Sequence, residues 1–192
     1  MTRREYAERY ATTKVHDEII RKGELQMNFE IREMTVEDWK EVRAIYVEGI
    51  KAENSTFETE APSWDKWDLG HISTCRLVAS LKGKVLGWAA LSPVSSRCVY
   101  AGVAEVSIYI ALEHIGRGVG QTLLERLVKC SEQNGFWTLQ AGIFPENVAT
   151  IALHKKCGFR EIGRRENLGK MQNGTWRNVI LFERRSKIVG LD

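Results

Sequence analysis

The chain reads as an α/β protein of the α+β kind, with a mixed, mostly antiparallel sheet, and three features carry that expectation. Two apolar runs, Cys75 to Leu81 and Val85 to Leu91, flank Lys82-Gly83-Lys84 in the manner of a β-hairpin. A further run rich in β-branched and aromatic residues, E-V-S-I-Y-I from Glu105, enters a loop with glycine at 116, 118 and 120. That loop opens into a segment with apolar residues at helical spacing, so strand, tight loop and helix follow one another.

The remaining elements follow in order. Asn28 to Arg32 alternates as a first strand, and Thr35 stands before an acidic turn as a helix N-cap. From Val36 to Glu53, the residues Trp39, Val42, Ile45, Tyr46, Gly49 and Ile50 fall on one helical face. Asn54 to Pro62 is a polar stretch, and Trp64 to Ile72 predicts a short helix whose tryptophans anchor a core rather than stack on a base. In the central strand Glu105, Ser107 and Tyr109 share one face and Val106, Ile108 and Ile110 the other. Val119, Leu123, Leu124, Leu127 and Val128 stripe the next helix, which Gly135 ends. Phe136 to Ile143 predicts a fifth strand. Asn147 caps a helix stopped by Gly158, Phe159 to Ile162 begins another strand, and Trp176 to Arg184 supplies the last.

With 192 residues, 43% of them hydrophobic, the sequence fits one globular domain with a sizeable core. Residues 27–192 are expected to form that domain, and 1–26, rich in Arg, Lys and Glu and without the apolar core of a signal peptide, to add an exposed helical extension. No apolar run approaches the roughly 18 residues of a membrane span. Net charge +3, from 28 basic and 25 acidic residues, is too balanced to indicate nucleic acid. A late basic group, Arg160, Arg164, Arg165, Lys170, Arg177, Arg184 and Arg185, is either a solvated face or a surface that meets an acidic ligand. Cys75, Cys98, Cys130 and Cys157 form no C-x-x-C pair and the four histidines no ligand spacing, so free thiols in a reducing cytoplasm and no metal are expected.

The glycine loop, I-G-R-G-V-G-Q-T, fits neither the dinucleotide fingerprint G-x-G-x-x-G nor the G-K-[ST] of a nucleotide-hydrolase loop. Glycines at alternate positions let consecutive N–H groups converge on an anion at a helix N-terminus, or simply make a tight turn. Together with P-E-N-V-A-T-I-A-L-H-K-K-C-G-F, which ends at Phe159, this loop resembles the acetyl-CoA-binding core of the GNAT N-acetyltransferase superfamily over about residues 28–183. F-E-T-E-A-P at 57–62, A-E-V-S-I-Y-I at 104–110 and N-G-T-W-R-N-V at 173–179 make the phosphinothricin acetyltransferase group the nearest resemblance. It implies the GNAT fold, a twisted sheet with helices on both faces and two parallel strands that splay to admit pantetheine. It also implies acetyl transfer to the amine of a small amino-acid-like molecule of the phosphinothricin or methionine sulfoximine type, and a homodimer. Acetylation of a protein or peptide N-terminus and a non-catalytic CoA-binding module are the alternatives.

By the same resemblance, main-chain groups of Ile108, Tyr109 and Ile110 meet the pantetheine amides. Gly116, Arg117, Gly118, Val119, Gly120 and Gln121 hold the pyrophosphate, Asn147 meets the pantetheine and Lys156 reaches a cofactor phosphate. Ile115 stands where the superfamily usually has Arg or Gln, which leaves the backbone donors in place. Phe57, Thr59, Arg97 and Tyr100 lie in stretches similar to the acceptor pocket, and Ala101 stands where some relatives have arginine.

Acetyl transfer needs an uncharged amine. Deprotonating an alkyl amine of pKa about 10.4 at neutral pH costs roughly 4 to 5 kcal/mol, but an α-amine near 7.8 only about 1 kcal/mol. A modest base therefore suffices for an amino acid. Glu105, the one carboxylate inside an otherwise uncharged strand, is the candidate, and the resemblance puts the group's catalytic glutamate here; a solvent-turned or arginine-paired glutamate is the alternative. His154 falls four residues before the G-F pair, where relatives place the acid that protonates the departing thiolate. A packed, structural histidine is its alternative.

Overall fold

The computed structural model describes residues 28–191. The helical extension expected at 1–26 lies outside them. Seven strands form one sheet in the order β1-β2-β3-β4-β5-β7-β6, comprising β1 (Glu30–Glu33), β2 (Leu77–Leu81), β3 (Lys84–Pro93), β4 (Val103–Ile110), β5 (Thr138–Ile143), β6 (Arg160–Lys170) and β7 (Trp176–Arg185). Every pairing is antiparallel except β4 with β5. Four helices accompany it: α1 (Trp39–Lys51), α2 (Trp64–Gly70), α3 (Val119–Gln133) and α4 (Val148–Lys156).

Strand alternation sorts the core into two layers. Ala104 and Val106 of β4 join Leu91, Leu139 and Phe182 beneath α3, whose Leu123, Leu124 and Leu127 are fully buried. On the opposite face, Val42 and Ile45 of α1 pack with Trp67 and Trp88, and Tyr109 stacks on Trp88 with ring centroids 4.9 Å apart. Trp64 and Trp67 are core anchors as their spacing predicts, the second only 1% exposed. Helix α1 and strand β3 together fix the turn leading into the glycine loop: Leu112 N–H donates to Glu48 Oε2 of α1 at 3.0 Å, and Ala111 N–H to the Leu86 carbonyl of β3 at 2.9 Å.

Expected and observed boundaries differ where local bonding wins. The fifth strand starts at Thr138 because Phe136 N–H closes the end of α3 by donating to the Ser131 carbonyl at 2.9 Å. The free-thiol expectation is corrected for two cysteines. Cys75, just before β2, and Cys130, near the end of α3, are joined as a disulfide with Cα atoms 5.7 Å apart, while Cys98 and Cys157 are free. The packing of α3 over β2 and β3 brings together residues 55 apart in sequence, which spacing alone cannot reveal.

Candidate active site

The sheet opens where β4 meets β5. Their parallel pairing covers only Val103, Ala104 and Glu105; β5 then continues against β7, and β4 runs on from Val106 to Ile110 with no strand on that side. A strand edge stripped of its partner presents unpaired N–H and C=O groups to whatever enters the gap. The gap is a cavity of about 580 Å³, walled by Ile108, Tyr109 and Ile110 of β4, Thr150, Leu153 and Lys156 of α4, and the glycine loop.

The loop is built to face outward. Gly116 and Gly118 have φ of +79° and +82°, which glycine adopts without penalty, and a Cβ on either would meet no protein atom within 4 Å. Among the described residues, the amides of 116–121 donate to no carbonyl or side chain, although the carbonyl of Gly118 accepts from Thr122 N–H at 3.1 Å. Six consecutive open donors at the positive end of the 15-residue helix α3 form an anion nest. Arg117 is exposed, the Val119 side chain is buried in the core, and neither residue lines the cavity, so each contributes to the nest only through its backbone N–H. Gly120 and Gln121 line the wall.

Asn147 caps α4 as its position predicts, and it also lines the cavity. Its Oδ1 accepts Thr150 N–H at 3.2 Å as the cap of α4, and its Nδ2 donates to the Asn54 carbonyl at 2.8 Å. This bridge holds the 52–55 segment over the cavity, where Arg177 also clamps it by donating to the Glu53 carbonyl at 2.8 Å. Asn54 itself lines the cavity, and its buried Oδ1 has no partner among the described residues, leaving an open acceptor. Sequence reasoning missed Asn54 and His114, which also borders the cavity; a polar loop and a lone histidine before Ile115 carry no signal of what they will face.

Glu105 occupies the last paired position of β4, at the mouth of the splay. Glu105 keeps an exposed side, but partial desolvation of its carboxyl raises it above the ordinary glutamate range, and the Arg165 guanidinium partly offsets that effect. The same face of β4 carries Tyr109, whose hydroxyl is pushed far up by burial and which packs tilted against Tyr46 at 4.8 Å, a structural role for its side chain. Phe57 lies over the backbone of Gly169 and meets Phe144 edge-on at 4.8 Å, which brings the Phe57 loop across the β6 end of this face. Thr59 is exposed, and Arg97 stacks on Tyr100 at 5.6 Å in the exposed turn before β4; none of the three lines the cavity.

His154 departs from its expected role. It is 1% exposed, packs edge-on to Phe159 at 4.9 Å and does not line the cavity. Its Nδ1 sits 2.9 Å from the Thr150 carbonyl. A carbonyl only accepts, so Nδ1 carries the proton and Nε2 is the bare nitrogen. Burial lowers the pKa and keeps the ring neutral, leaving no proton on Nε2 to give a thiolate. Among the described residues, no group of three or more His, Cys, Asp or Glu side chains is placed to hold a metal.

An outward anion nest, a splayed parallel strand pair and a carboxylate at the point of splaying match one family. Residues 30–159 match the Acetyltransferase (GNAT) family, and the chain belongs to it. It is 30% identical over 164 residues to the phosphinothricin N-acetyltransferase of Alcaligenes faecalis, covering 80% of this chain and 81% of that one. It is 31% identical over 108 residues to an L-methionine sulfoximine/L-methionine sulfone acetyltransferase of Pseudomonas aeruginosa, covering 56% and 62%. A GNAT superfamily phosphinothricin acetyltransferase from Sinorhizobium meliloti, solved in complex with acetyl-CoA, superimposes with TM-score 0.77 at 27% identity over 86% of this chain and 92% of that one. The chain is therefore an acetyltransferase.

Proposed function

We propose that this acetyltransferase moves the acetyl group of acetyl-CoA to the α-amine of a small amino-acid-like acceptor, of the phosphinothricin or methionine sulfoximine type, by direct attack on the thioester. One observation carries the reading: four residues of the unbonded loop, Gly116, Gly118, Gly120 and Gln121, and an unpartnered strand edge line the same cavity, and a carboxylate with raised pKa stands where that strand edge opens. The residues present suit the donor. The amides of 116–121 and Lys156 provide for a diphosphate, and the free edge of β4 and Asn54 Oδ1 for the amides of the arm. The bound thioester supplies the activated acyl carbon, and the chain contributes orientation and a proton acceptor.

Glu105 takes the proton from the incoming amine, directly or through one water. Its raised pKa brings it nearer the α-amine, so little driving force is lost in that transfer. His154, neutral and turned into the core, maintains the seating of α4 against Phe159 instead of donating a proton. The relatives above act on phosphinothricin and methionine sulfoximine by their names, which supports the acceptor class. A homodimer and a cytoplasmic location belong to the same proposal, the second against the Cys75–Cys130 disulfide, which an oxidising compartment favours. The exposed edge strand β6, with Ile162 and Leu168 uncovered, supports an association between copies.

Thiol release from acetyl-CoA, measured against a panel of free amino acids, simple amines and peptides with free N-termini, tests this reading. Turnover with free amino acids, methionine sulfoximine among them, is expected. Turnover confined to peptides, or binding of acetyl-CoA without turnover of any amine, contradicts it.

A further inference from the structure

The face of the sheet that carries Glu105 continues across β5 and β7 to β6, outside the cavity walled by the glycine loop. Glu105 Oε1 lies 3.9 Å, and Val179 Cγ1 3.1 Å, from the point where a Cβ on Gly142 of β5 would sit. These three positions therefore share one face, on which Gly142 adds no side chain of its own and the buried Val179 leans over it. Val179 of β7 pairs in register with Arg165 of β6, so Arg165 stands on that face as well. From β4 to β6 is three strand spacings, about 14 Å, a distance that a glutamate leaning over Gly142 and a long arginine stem reduce to the size of a small acceptor. The ladder between β6 and β7 is interrupted directly after Arg165, where Asn167 takes a left-handed backbone (φ +46°) and its N–H is held by Asn178 Oδ1 at 2.8 Å. Such a bulge aims a side chain that a regular ladder would leave in line.

Arg165 has no hydrogen bond or ion pair among the described residues, unlike Arg160, Arg177 and Arg184, which bind carboxylates. Among the described residues it is also the one charged side chain that acts on Glu105. Two opposite charges thus stand on one face, with Gly142 and Val179 between them, and form no ion pair with each other. The geometry points to Arg165 as the anchor for the α-carboxylate of the acceptor, which it holds while the α-amine faces Glu105 and the thioester. This assignment rests on the function proposed above. It makes the enzyme selective for amino acids over amines that lack the carboxylate, since a guanidinium without its counter-ion returns nothing for the acceptor's desolvation.

Steady-state kinetics with an amino acid that the chain acetylates, and with the amine left by removing its carboxyl group, test the assignment. Arg165→Gln is expected to raise KM for the amino acid about 10-fold to 100-fold. It should leave KM for acetyl-CoA and kinetics with the decarboxylated amine within a factor of about two, and Arg165→Lys should recover part of the loss. An equal effect on both acceptors would mean that Arg165 acts only through Glu105, and that outcome overturns the assignment, as does no effect on either. In both cases the acetyltransferase reading survives, because the wild-type chain still turns over. Absence of turnover with every amine in the wild-type chain overturns both.

Discussion

Glu105→Gln is expected to lower kcat/KM for an α-amino acid by about 100-fold near neutral pH, the loss typical of removing a general base. The deficit should close as pH rises past the amine's own pKa, near 7.8, because an amine already deprotonated no longer needs Glu105. In the wild-type enzyme the acidic limb of the pH profile should fall above the ordinary glutamate range, since partial desolvation raises this carboxyl. In the variant that limb should move to the amine's own titration. Stability should follow the opposite sign. A carboxyl whose pKa is raised in the folded state favours folding when protonated, and its ionised form costs stability once pH exceeds the folded value. Glu105→Gln therefore keeps or raises Tm at pH 7 while activity falls. Loss of activity by the same factor at every pH, together with a lower Tm, would indicate a folding defect and remove Glu105 from the chemistry.

Gly118→Ala is expected to raise KM for acetyl-CoA about 10-fold or more, with KM for the acceptor little changed. Two effects combine. At φ +82° a Cβ costs about 1 to 2 kcal/mol and shifts the local backbone, which turns the amides of the nest away from a common centre. The added methyl meets no protein atom within 4 Å, so it projects into space open to the ligand. Gly83, in the β2–β3 turn, has the same φ of +82° and the same open surroundings. Gly83→Ala should thus lower thermal stability by a similar amount without touching KM for acetyl-CoA. If the two variants lose acetyl-CoA affinity equally, the effect of Gly118 is on the fold and not on the nest.

Much of this arrangement was legible in the residues. Alternation in E-V-S-I-Y-I placed Glu105 and Tyr109 on one face and Val106 in the core, because strand geometry ties side-chain direction to sequence parity. Glycines at 116 and 118 announced their positive φ, and Asn147 its cap, because these are local conformational demands. What local rules do not contain is which distant elements meet. Asn54 sits in a polar loop and becomes part of the cavity only because Asn147, 93 residues away, fastens it there. Cys75 and Cys130 pair across 55 residues through the docking of α3. His154 lies on a helix whose apolar residues are spread around its circumference, so the sequence did not fix which face turns inward, and the structure turns His154 toward Phe159 and Phe182. Arg165 was one of seven late basic residues, distinguished only by the pairing of β6 with β7.

The most direct test is a crystal structure of the chain with acetyl-CoA bound. The diphosphate should lie within hydrogen-bonding distance of the amides of 116–121, the pantetheine arm should run along β4 between Val106 and Ile110, and the thioester should stand on the Glu105 side of the splay. A diphosphate bound elsewhere, with those amides facing solvent, or a thioester on the far side of the sheet from Glu105, would contradict the account.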